Sequence, residues 1–134
     1  MAENTFLSQV KKSILSLSKR DYIVESGENE NSRYIRYSDG TQICYKNMTI
    51  NEAFNNAWGS IFETKQIELG NFPVPFIDTN IMVTVTATNG YTAFFSGIGG
   101  VTTTSWGKTN LMRPVASQSP ITVTLNLLAI GIWK

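Results

Sequence analysis

The carboxylates are the first side chains to test for chemistry, because two of them facing each other across a cleft can hydrolyse a glycosidic bond. The acids that could belong to such a pair are Glu52, Glu63, Glu68 and Asp78. Glu63 and Glu68 are five positions apart, so on one regular strand they point to opposite faces. No carboxylate side chain follows Asp78. The pattern predicts solvated strand residues and no catalytic pair.

The sequence lacks the residues that nucleophilic catalysis, metal binding and phosphate binding need. The chain has no histidine, which removes the commonest general base and a common metal ligand. Cys44 is the single cysteine, so neither an intrachain disulfide nor a multi-thiolate metal site can form. Gly107-Lys108-Thr109 ends like a phosphate-binding loop, but Thr102 stands where that loop needs its first glycine. The sequence therefore predicts no enzyme, no metal and no cofactor.

Aromatic rings beside polar side chains remain as candidates for binding sugars. A ring face matches the apolar side of a pyranose, and polar neighbours can satisfy its hydroxyls. Trp106, among Thr, Ser, Gly and Lys, is favoured over Trp58 and Trp133. Burial in the core is the alternative for each of these rings. The residues that we expect to contact ligand are Tyr91, Thr103, Ser105, Trp106, Lys108 and Arg113.

Alternating hydrophobicity predicts that strands position these residues. Residues 81–88 place apolar side chains on one face and mainly threonine on the other, which is typical of a half-buried strand. Asn89-Gly90 then predicts a hairpin turn into 91–95. Ser38-Asp39-Gly40 predicts an earlier hairpin between strands 33–37 and 41–46.

Other segments have weaker patterns. Residues 49–58 have capping-box spacing and predict a short helix, with an irregular strand as the alternative. Residues 61–69 predict a strand, and 70–76 predict an extended loop because their prolines have no amide hydrogen to donate. Residues 101–106 predict a strand after a glycine-rich bend. Gly107 predicts a turn before the strand at 110–113.

The N-terminal residues predict a helix that suits a stem. Its apolar positions, spaced like heptad a and d residues, are Leu7, Val10, Ile14 and Leu17. So short a seam needs fusion to an oligomeric head, and packing of the helix on its own domain is the alternative. Residues 21–32 are acidic and polar and predict a flexible connector. The predicted organisation is a stem at 1–20, a linker at 21–32 and a head at 33–134.

The last strand changes its pattern before the chain ends. Its inward positions are Ile121, Val123, Leu125 and Leu127, and they alternate with polar residues. After Asn126 the second face becomes apolar as well, through Leu128, Ile130 and Ile132. A strand that is apolar on both faces must be covered on both. We expect a subunit interface to cover it, with burial inside a single sandwich as the alternative.

Charge and hydropathy exclude two classes of partner. The net charge of +1 provides no strong attraction to nucleic acid or to an anionic membrane. The chain has no apolar run of about 18 residues, so no transmembrane helix is predicted. We therefore expect neither nucleic acid binding nor membrane insertion.

An ordered set of short motifs resembles a known family. The motifs are Tyr37-Ser38-Asp39-Gly40-Thr41, Trp58-Gly59-Ser60, Phe72-Pro73-Val74-Pro75-Phe76, Arg113-Pro114 and Ala129-Ile130-Gly131-Ile132-Trp133-Lys134. Together they resemble the C-terminal domain of phage tail fibre and minor structural proteins, especially from prophages of Gram-positive bacteria. The resemblance covers residues 33–134. Ile132 departs from it, because such proteins often have Arg or Tyr at that position.

The resemblance implies an all-β fold, an antiparallel β-sandwich similar to the H-type lectins, to which the short N-terminal α-helix expected from its heptad spacing would be joined as a trimeric coiled-coil stem. It implies a homotrimer at the tip of a virion tail fibre, joined to the remainder of a phage tail or tail-like particle. It also implies attachment to a bacterial surface polysaccharide or teichoic-acid-like glycan. A structural trimerisation cap that binds no receptor, or a polysaccharide depolymerase, is the alternative. The expected interface residues are Leu7, Val10, Ile14, Leu17, Leu128, Ile130 and Ile132.

Overall fold

The structure, a computed structural model, describes residues 2–18, 21–30, 32–89 and 92–134. Within these ranges a helix is followed by strands that form two antiparallel sheets, which confirms the predicted all-β, sandwich-like fold. The elements are α1 (Ala2–Ser18), β1 (Ile23–Asn29), β2 (Ser32–Tyr37), β3 (Thr41–Phe54), β4 (Asn56–Trp58), β5 (Ile61–Glu63), β6 (Ile67–Glu68), β7 (Met82–Asn89), β8 (Thr92–Gly99), β9 (Lys108–Arg113) and β10 (Ser117–Ile132).

Strand β8 belongs to both sheets. The larger sheet has the order β1-β2-β3-β10-β7-β8. The smaller sheet continues from β8 in the order β8-β9-β5-β4. Strand β6 also pairs with β9. The first part of β8 pairs with β7, and the part from Phe95 to Gly99 pairs with β9. A strand that changes partners in this way makes a corner, so the two sheets fold over a shared core.

The core between the sheets is built from alternate positions, as the sequence predicts. Along β10, Val123, Leu125 and Leu127 are buried, and the threonines and asparagine between them are exposed. Along β7, Ala87 is buried and Val85 is packed against the core. The predicted hairpins are also confirmed by the pairing of β2 with β3 and of β7 with β8. The tip of the second hairpin, residues 90–91, lies outside the described residues.

The expected flexible connector at 21–32 is instead largely strand β1, and here the prediction is wrong. The strand pairs with β2 from Glu25↔Arg36 to Asn29↔Ser32. Its carboxylates meet donors on β2: the Tyr34 hydroxyl donates to Glu25 over 2.5 Å, and Arg33 lies 2.6 Å from Glu28. Opposite charges across neighbouring strands stabilise their pairing, so the acidic composition marks an edge strand.

The predicted helix at 49–58 is also wrong, and its strand alternative is confirmed. Strand β3 continues to Phe54 and β4 follows at Asn56–Trp58. The cause is tertiary, because the long strand β10 provides partners such as Val123 for Ile50 and Ile121 for Glu52. Ladder hydrogen bonds along a whole strand outweigh one local capping pattern.

Two further predicted strands are shorter or absent. The strand expected at 61–69 is divided into β5 and β6, because Thr64 is buried and its hydroxyl accepts the Leu111 N–H over 3.1 Å. The strand expected at 101–106 is a loop with a single bridge, Asn71↔Ser105. The strand expected at 110–113 is confirmed and begins earlier, at Lys108.

The outer face of the larger sheet is apolar at one end. Leu128, Ile130 and Ile132 are between 36% and 42% exposed, so the alternative of burial inside a single sandwich is wrong. Cross-strand pairing aligns Ile43 and Met82 with Ile130. We call this surface the outer apolar patch; its residues are Ile43, Tyr45, Met82, Leu128, Ile130 and Ile132. The single chain leaves most of the patch uncovered.

Helix α1 carries a second uncovered apolar surface. Leu7, Val10 and Ile14 are exposed, so the alternative that the helix packs on its own domain is wrong. The side chain of Leu17 lies outside what the structure describes. Within the described ranges no helix, α1 included, has the length and apolarity to cross a membrane. The coiled-coil stem stays a prediction.

Gly107 is the most constrained backbone position of the loop before β9. Its φ is +85°, and a Cβ atom there would lie 2.3 Å from the Gly99 carbonyl oxygen. We expect Gly107→Ala to lower the free energy of unfolding by about 2 to 5 kcal/mol, because backbone strain and a steric clash add. Urea unfolding measures this loss.

Gly59→Ala is the matched control for Gly107→Ala. Gly59 also has a positive φ, +62°, but an added Cβ would meet no atom within 4 Å. Only the backbone strain applies, so we expect a loss of about 1 to 2 kcal/mol. Equal losses for the two variants would contradict the proposed close approach to Gly99.

Candidate functional site

The residues predicted to contact ligand do not converge on one site. Lys108 and Arg113 begin and end β9, and because they are five positions apart they point to opposite faces. Thr103 and Ser105 lie in the preceding loop. Tyr91 lies outside the described residues. The described members therefore belong to different surfaces.

Trp106 is a core residue. It is 0% exposed, and its ring centroid lies 4.6 Å from that of Phe72, which in turn lies edge-on to Phe76. A ring without an exposed face cannot stack on a sugar. The expectation that Trp106 contacts ligand is wrong, and the core alternative holds for this residue.

The hydroxyl groups around Trp106 hold the loop together. The Ser105 hydroxyl donates to the Gly70 carbonyl over 3.2 Å and accepts the Gly107 N–H over 3.1 Å. The Thr102 hydroxyl accepts the backbone N–H groups of Thr104 and Ser105. The polar composition that suggested a sugar site thus satisfies backbone groups of a tight turn.

Arg113 and Trp133 also have structural roles. The Arg113 Nε donates to the Val115 carbonyl over 2.5 Å, and its guanidinium lies 5.2 Å from the centre of the Phe54 ring. The Trp133 indole donates to the Tyr37 carbonyl over 2.9 Å. Both side chains therefore stabilise the fold by hydrogen bonds to backbone carbonyls.

A different set of residues forms a groove on the outer face of the smaller sheet. Its volume is about 560 Å³. Gly97, Gly99 and Gly100 contribute its glycine-rich side. The side chains that line the rest include Trp58, Glu63, Gln66, Lys108, Asn110 and Met112. We call this surface the Trp58 groove.

Strand pairing explains why these residues share a face. Strand β9 lies in the middle, where Asn110 is opposite Gly97 and Met112 is opposite Glu63. Residues directly opposite each other project to the same side. Trp58 is opposite Ile61, so it is the diagonal neighbour of Glu63, a separation that long and aromatic side chains can span.

Trp58 is 62% exposed. Trp58 is the last residue of β4, and the turn at Gly59 leads directly into β5. The sequence favoured Trp106 over Trp58 as a ligand contact. The structure reverses this preference, because Trp58 is exposed and Trp106 is fully buried. The signal in the sequence was the Trp-Gly-Ser string, since residues at a tight turn lie on the surface.

The glycines leave the side of the groove open. A Cβ added to Gly97, Gly99 or Gly100 would meet no atom within 4 Å. A ligand can therefore approach the backbone there closely. This arrangement gives the groove room beside the indole ring.

The polar groups of the groove provide both donors and acceptors. Asn56 donates to one Glu63 oxygen over 2.8 Å, and Lys108 forms an ion pair with Glu68 over 3.1 Å. The Asn110 amide donates to the Thr64 carbonyl over 2.8 Å, and within the described part of the chain its side-chain oxygen has no partner. A free indole face beside such groups matches the mixed surface of a sugar ring.

A second groove of about 460 Å³ lies on the larger sheet, beside β1. Both of its cations already have partners: Arg33 pairs with Glu28, and the Lys46 ammonium donates to the Leu69 carbonyl. Burial lowers the pKa of Lys46. The Trp58 groove, with its more exposed ring, is the better candidate.

Metal and thiol chemistry have no assembled site in the described ranges. No group of three or more His, Cys, Asp or Glu residues is close enough there to hold an ion. Cys44 is fully buried on β3, and burial raises its pKa to about 12, although a hydrogen bond from Gln42 opposes this shift.

No protein-family model and no curated protein match the sequence. Two solved structures are similar. The P. aeruginosa R1 pyocin fibre comprising C-terminal residues 323–701 is 13% identical with a TM-score of 0.48, over 81% of this chain and 28% of that one. An N-truncated R1-type pyocin tail fibre is 12% identical with a TM-score of 0.49, over 84% and 85%. At these values the similarity assigns neither a family nor a function.

The buried state of Cys44 gives a prediction about its reactivity. Because the folded pKa is about 12, the thiolate fraction in mildly alkaline buffer is roughly a thousandfold smaller than for an unfolded cysteine. We expect no reaction with Ellman's reagent on the timescale of minutes. The same protein in guanidinium chloride, as control, should release one equivalent rapidly. Rapid release from the folded protein would contradict the burial of this thiol.

Proposed function

We propose that this chain is a non-catalytic, glycan-binding head of a phage tail fibre or tail-like particle, which acts as a homotrimer at the host cell surface. The observation that carries the proposal is the Trp58 groove, an exposed indole beside hydrogen-bonding groups and a glycine-rich side. The ordered motifs from Tyr37 to Lys134 support the place in a virion tail.

Sugar binding follows from the chemistry of the groove. The face of the Trp58 ring can cover the C–H face of a pyranose, while Gln66 and Asn110 can bond to hydroxyls at its edge. An open site of this kind binds weakly by itself. Several heads on one particle raise the effective concentration, so firm attachment follows from many weak contacts.

A role without catalysis is supported by the positions of the carboxylates. Glu63 and Glu68 are opposite Met112 and Lys108, so pairing places both on the outer face, contrary to the expectation of opposite faces. The break between β5 and β6 changes the alternation. Asn56 donates to Glu63 and Lys108 pairs with Glu68, so the two carboxylates have different partners on one face of one sheet and do not face each other across a cleft.

Association of copies is supported by the two uncovered apolar surfaces. The outer apolar patch and the seam of α1 are exposed in the same chain, and only residues 19–22 lie between α1 and β1. Strand β1 is in the same sheet as the patch. A second and a third copy can therefore bury both surfaces in one assembly, which removes apolar area from water.

A structural trimerisation cap is the second candidate, because the outer apolar patch alone would suffice for it. A cap needs no exposed ring at the Trp58 groove. Measurement of receptor binding separates the two functions. A depolymerase would differ from both, because it would shorten capsular polysaccharide chains during incubation.

The first prediction concerns the Trp58 groove. We expect Trp58→Ala to weaken binding to intact host bacteria, or to the glycan that a bacterial polysaccharide array identifies, by about tenfold or more, because the stacking surface is lost. Val115→Ala is the matched control, since Val115 is also apolar and exposed but does not line the groove. Unchanged binding of Trp58→Ala would contradict the Trp58 groove as the binding site, and a folded trimer that binds no glycan would favour the structural cap.

The second prediction concerns the outer apolar patch. We expect light scattering to give three times the chain mass of 14.9 kDa for the protein. Ile130→Asp should give a monomer, because it places a charge in an apolar interface. Thr124→Asp is the control: it lies on the same strand and also faces outward, in the threonine-rich half. A trimeric Ile130→Asp variant, or a monomeric parent, would contradict the proposed interface.

A further inference from the structure

Glu63 is the one acidic side chain that lines the Trp58 groove within the described residues. It is half-buried on β5, and Asn56 donates to its Oε1 over 2.8 Å. Its second oxygen has no hydrogen-bond or ion-pair partner in the described part of the chain. A carboxylate oxygen of this kind can accept a charged donor from a ligand.

No cation of the described chain neutralises Glu63. Arg113, which follows the strand partner of Glu63, is opposite Phe62 and therefore projects to the other face. Lys108 lines the groove, but its ammonium is 3.1 Å from Glu68. Lys108 is also four residues along β9 from Met112, the strand partner of Glu63. The backbone positions of Lys108 and Met112 are therefore about 13 Å apart. The end of the groove beside Trp58 is therefore negative.

The indole ring strengthens this preference for positive charge. The face of Trp58 attracts a cation through the electron density of the ring, and Trp is the best of the aromatic side chains for this contact. Trp58 and Glu63 are diagonal neighbours across β4 and β5, so a single ligand group can contact both. A protonated amine on a sugar ring would contact the ring face and the carboxylate together.

We infer that the Trp58 groove selects saccharides with a free amino group, with the sugar ring on Trp58 and the ammonium bonded to Glu63. This inference rests on the proposed glycan binding and specifies its ligand. An N-acetylated sugar keeps the ring but loses the charge. A phosphate-rich polymer would be repelled by the Glu63 carboxylate, and Lys108, which also lines the groove, is already paired with Glu68, so teichoic-acid-like backbones are disfavoured in this groove.

The test compares two oligosaccharides that differ in acetylation. The full chain is titrated calorimetrically with the tetramer of glucosamine and with the tetramer of N-acetylglucosamine, below the pKa of the sugar amine. We expect the amine-bearing tetramer to bind about tenfold more tightly, because a charge-assisted hydrogen bond is lost in the other. Raising the pH above the amine pKa should remove the difference.

Glu63→Gln tests the residue itself. We expect this variant to bind both tetramers with the weaker affinity, because the amide keeps the shape of the side chain without its charge. Glu28→Gln is the matched control, since it removes the same charge from β1, on the other sheet, where Glu28 pairs with Arg33. It should keep the preference. Circular dichroism checks that each variant is folded.

The outcomes separate the inference from the function on which it rests. Equal binding of the two tetramers, binding of neither, or an unchanged preference in Glu63→Gln would overturn the selection of amino sugars. In each of these cases a loss of glycan or cell binding in Trp58→Ala would still support the groove as the binding site. Unchanged cell binding in Trp58→Ala would contradict the groove as the binding site, and failure of the parent chain to bind host cells or any glycan would contradict the proposed function itself.

Discussion

The pairing of β10 with its two neighbours is the constraint on which the rest of the molecule depends. From Ile121 to Ile132 it pairs with β3, and from Thr124 to Ile130 it also pairs with β7. Along this central stretch the backbone bonds on both sides, as buried polar groups require. Val123, Leu125 and Leu127 bury their side chains beneath it, each worth roughly 1.5 to 3 kcal/mol. A slip of one residue would expose them all.

The same register determines the two outer surfaces. Because the inward positions of β10 are fixed, Leu128 and Ile130 must project outward and align with Tyr45 and Ile43. Beyond β8 the chain turns into the smaller sheet, where β9 aligns Asn110 with Gly97 and Met112 with Glu63. The apolar patch and the groove are thus on the outer faces of different sheets, so association of copies and ligand binding can use separate surfaces.

The tryptophans show how tertiary structure decides the role of a residue type. Trp106 has polar neighbours in sequence, yet its loop folds against the proline-containing segment, where the backbone N–H of Trp106 donates to the Gly70 carbonyl over 3.0 Å. The ring is then enclosed by Phe72. Trp58 has apolar positions before it, yet it ends a short strand at a turn and keeps its face free. Polar residues beside a tryptophan in the sequence can serve to form hydrogen bonds with the backbone of a loop. Their presence therefore does not by itself indicate a ligand site.

The sequence by itself determined the β class, the strands at β7 and β10, two hairpins and the apolar outer face of the last strand. These features depend on alternation and turn chemistry, which are local. Only the tertiary structure decided that the acidic segment pairs as β1, that 49–54 continues β3, and that Glu63 and Glu68 share a face. Each of these depends on a partner distant along the chain. The groove has the same origin, because β4, β5, β8 and β9 each contribute one part of it and no local pattern marks their meeting.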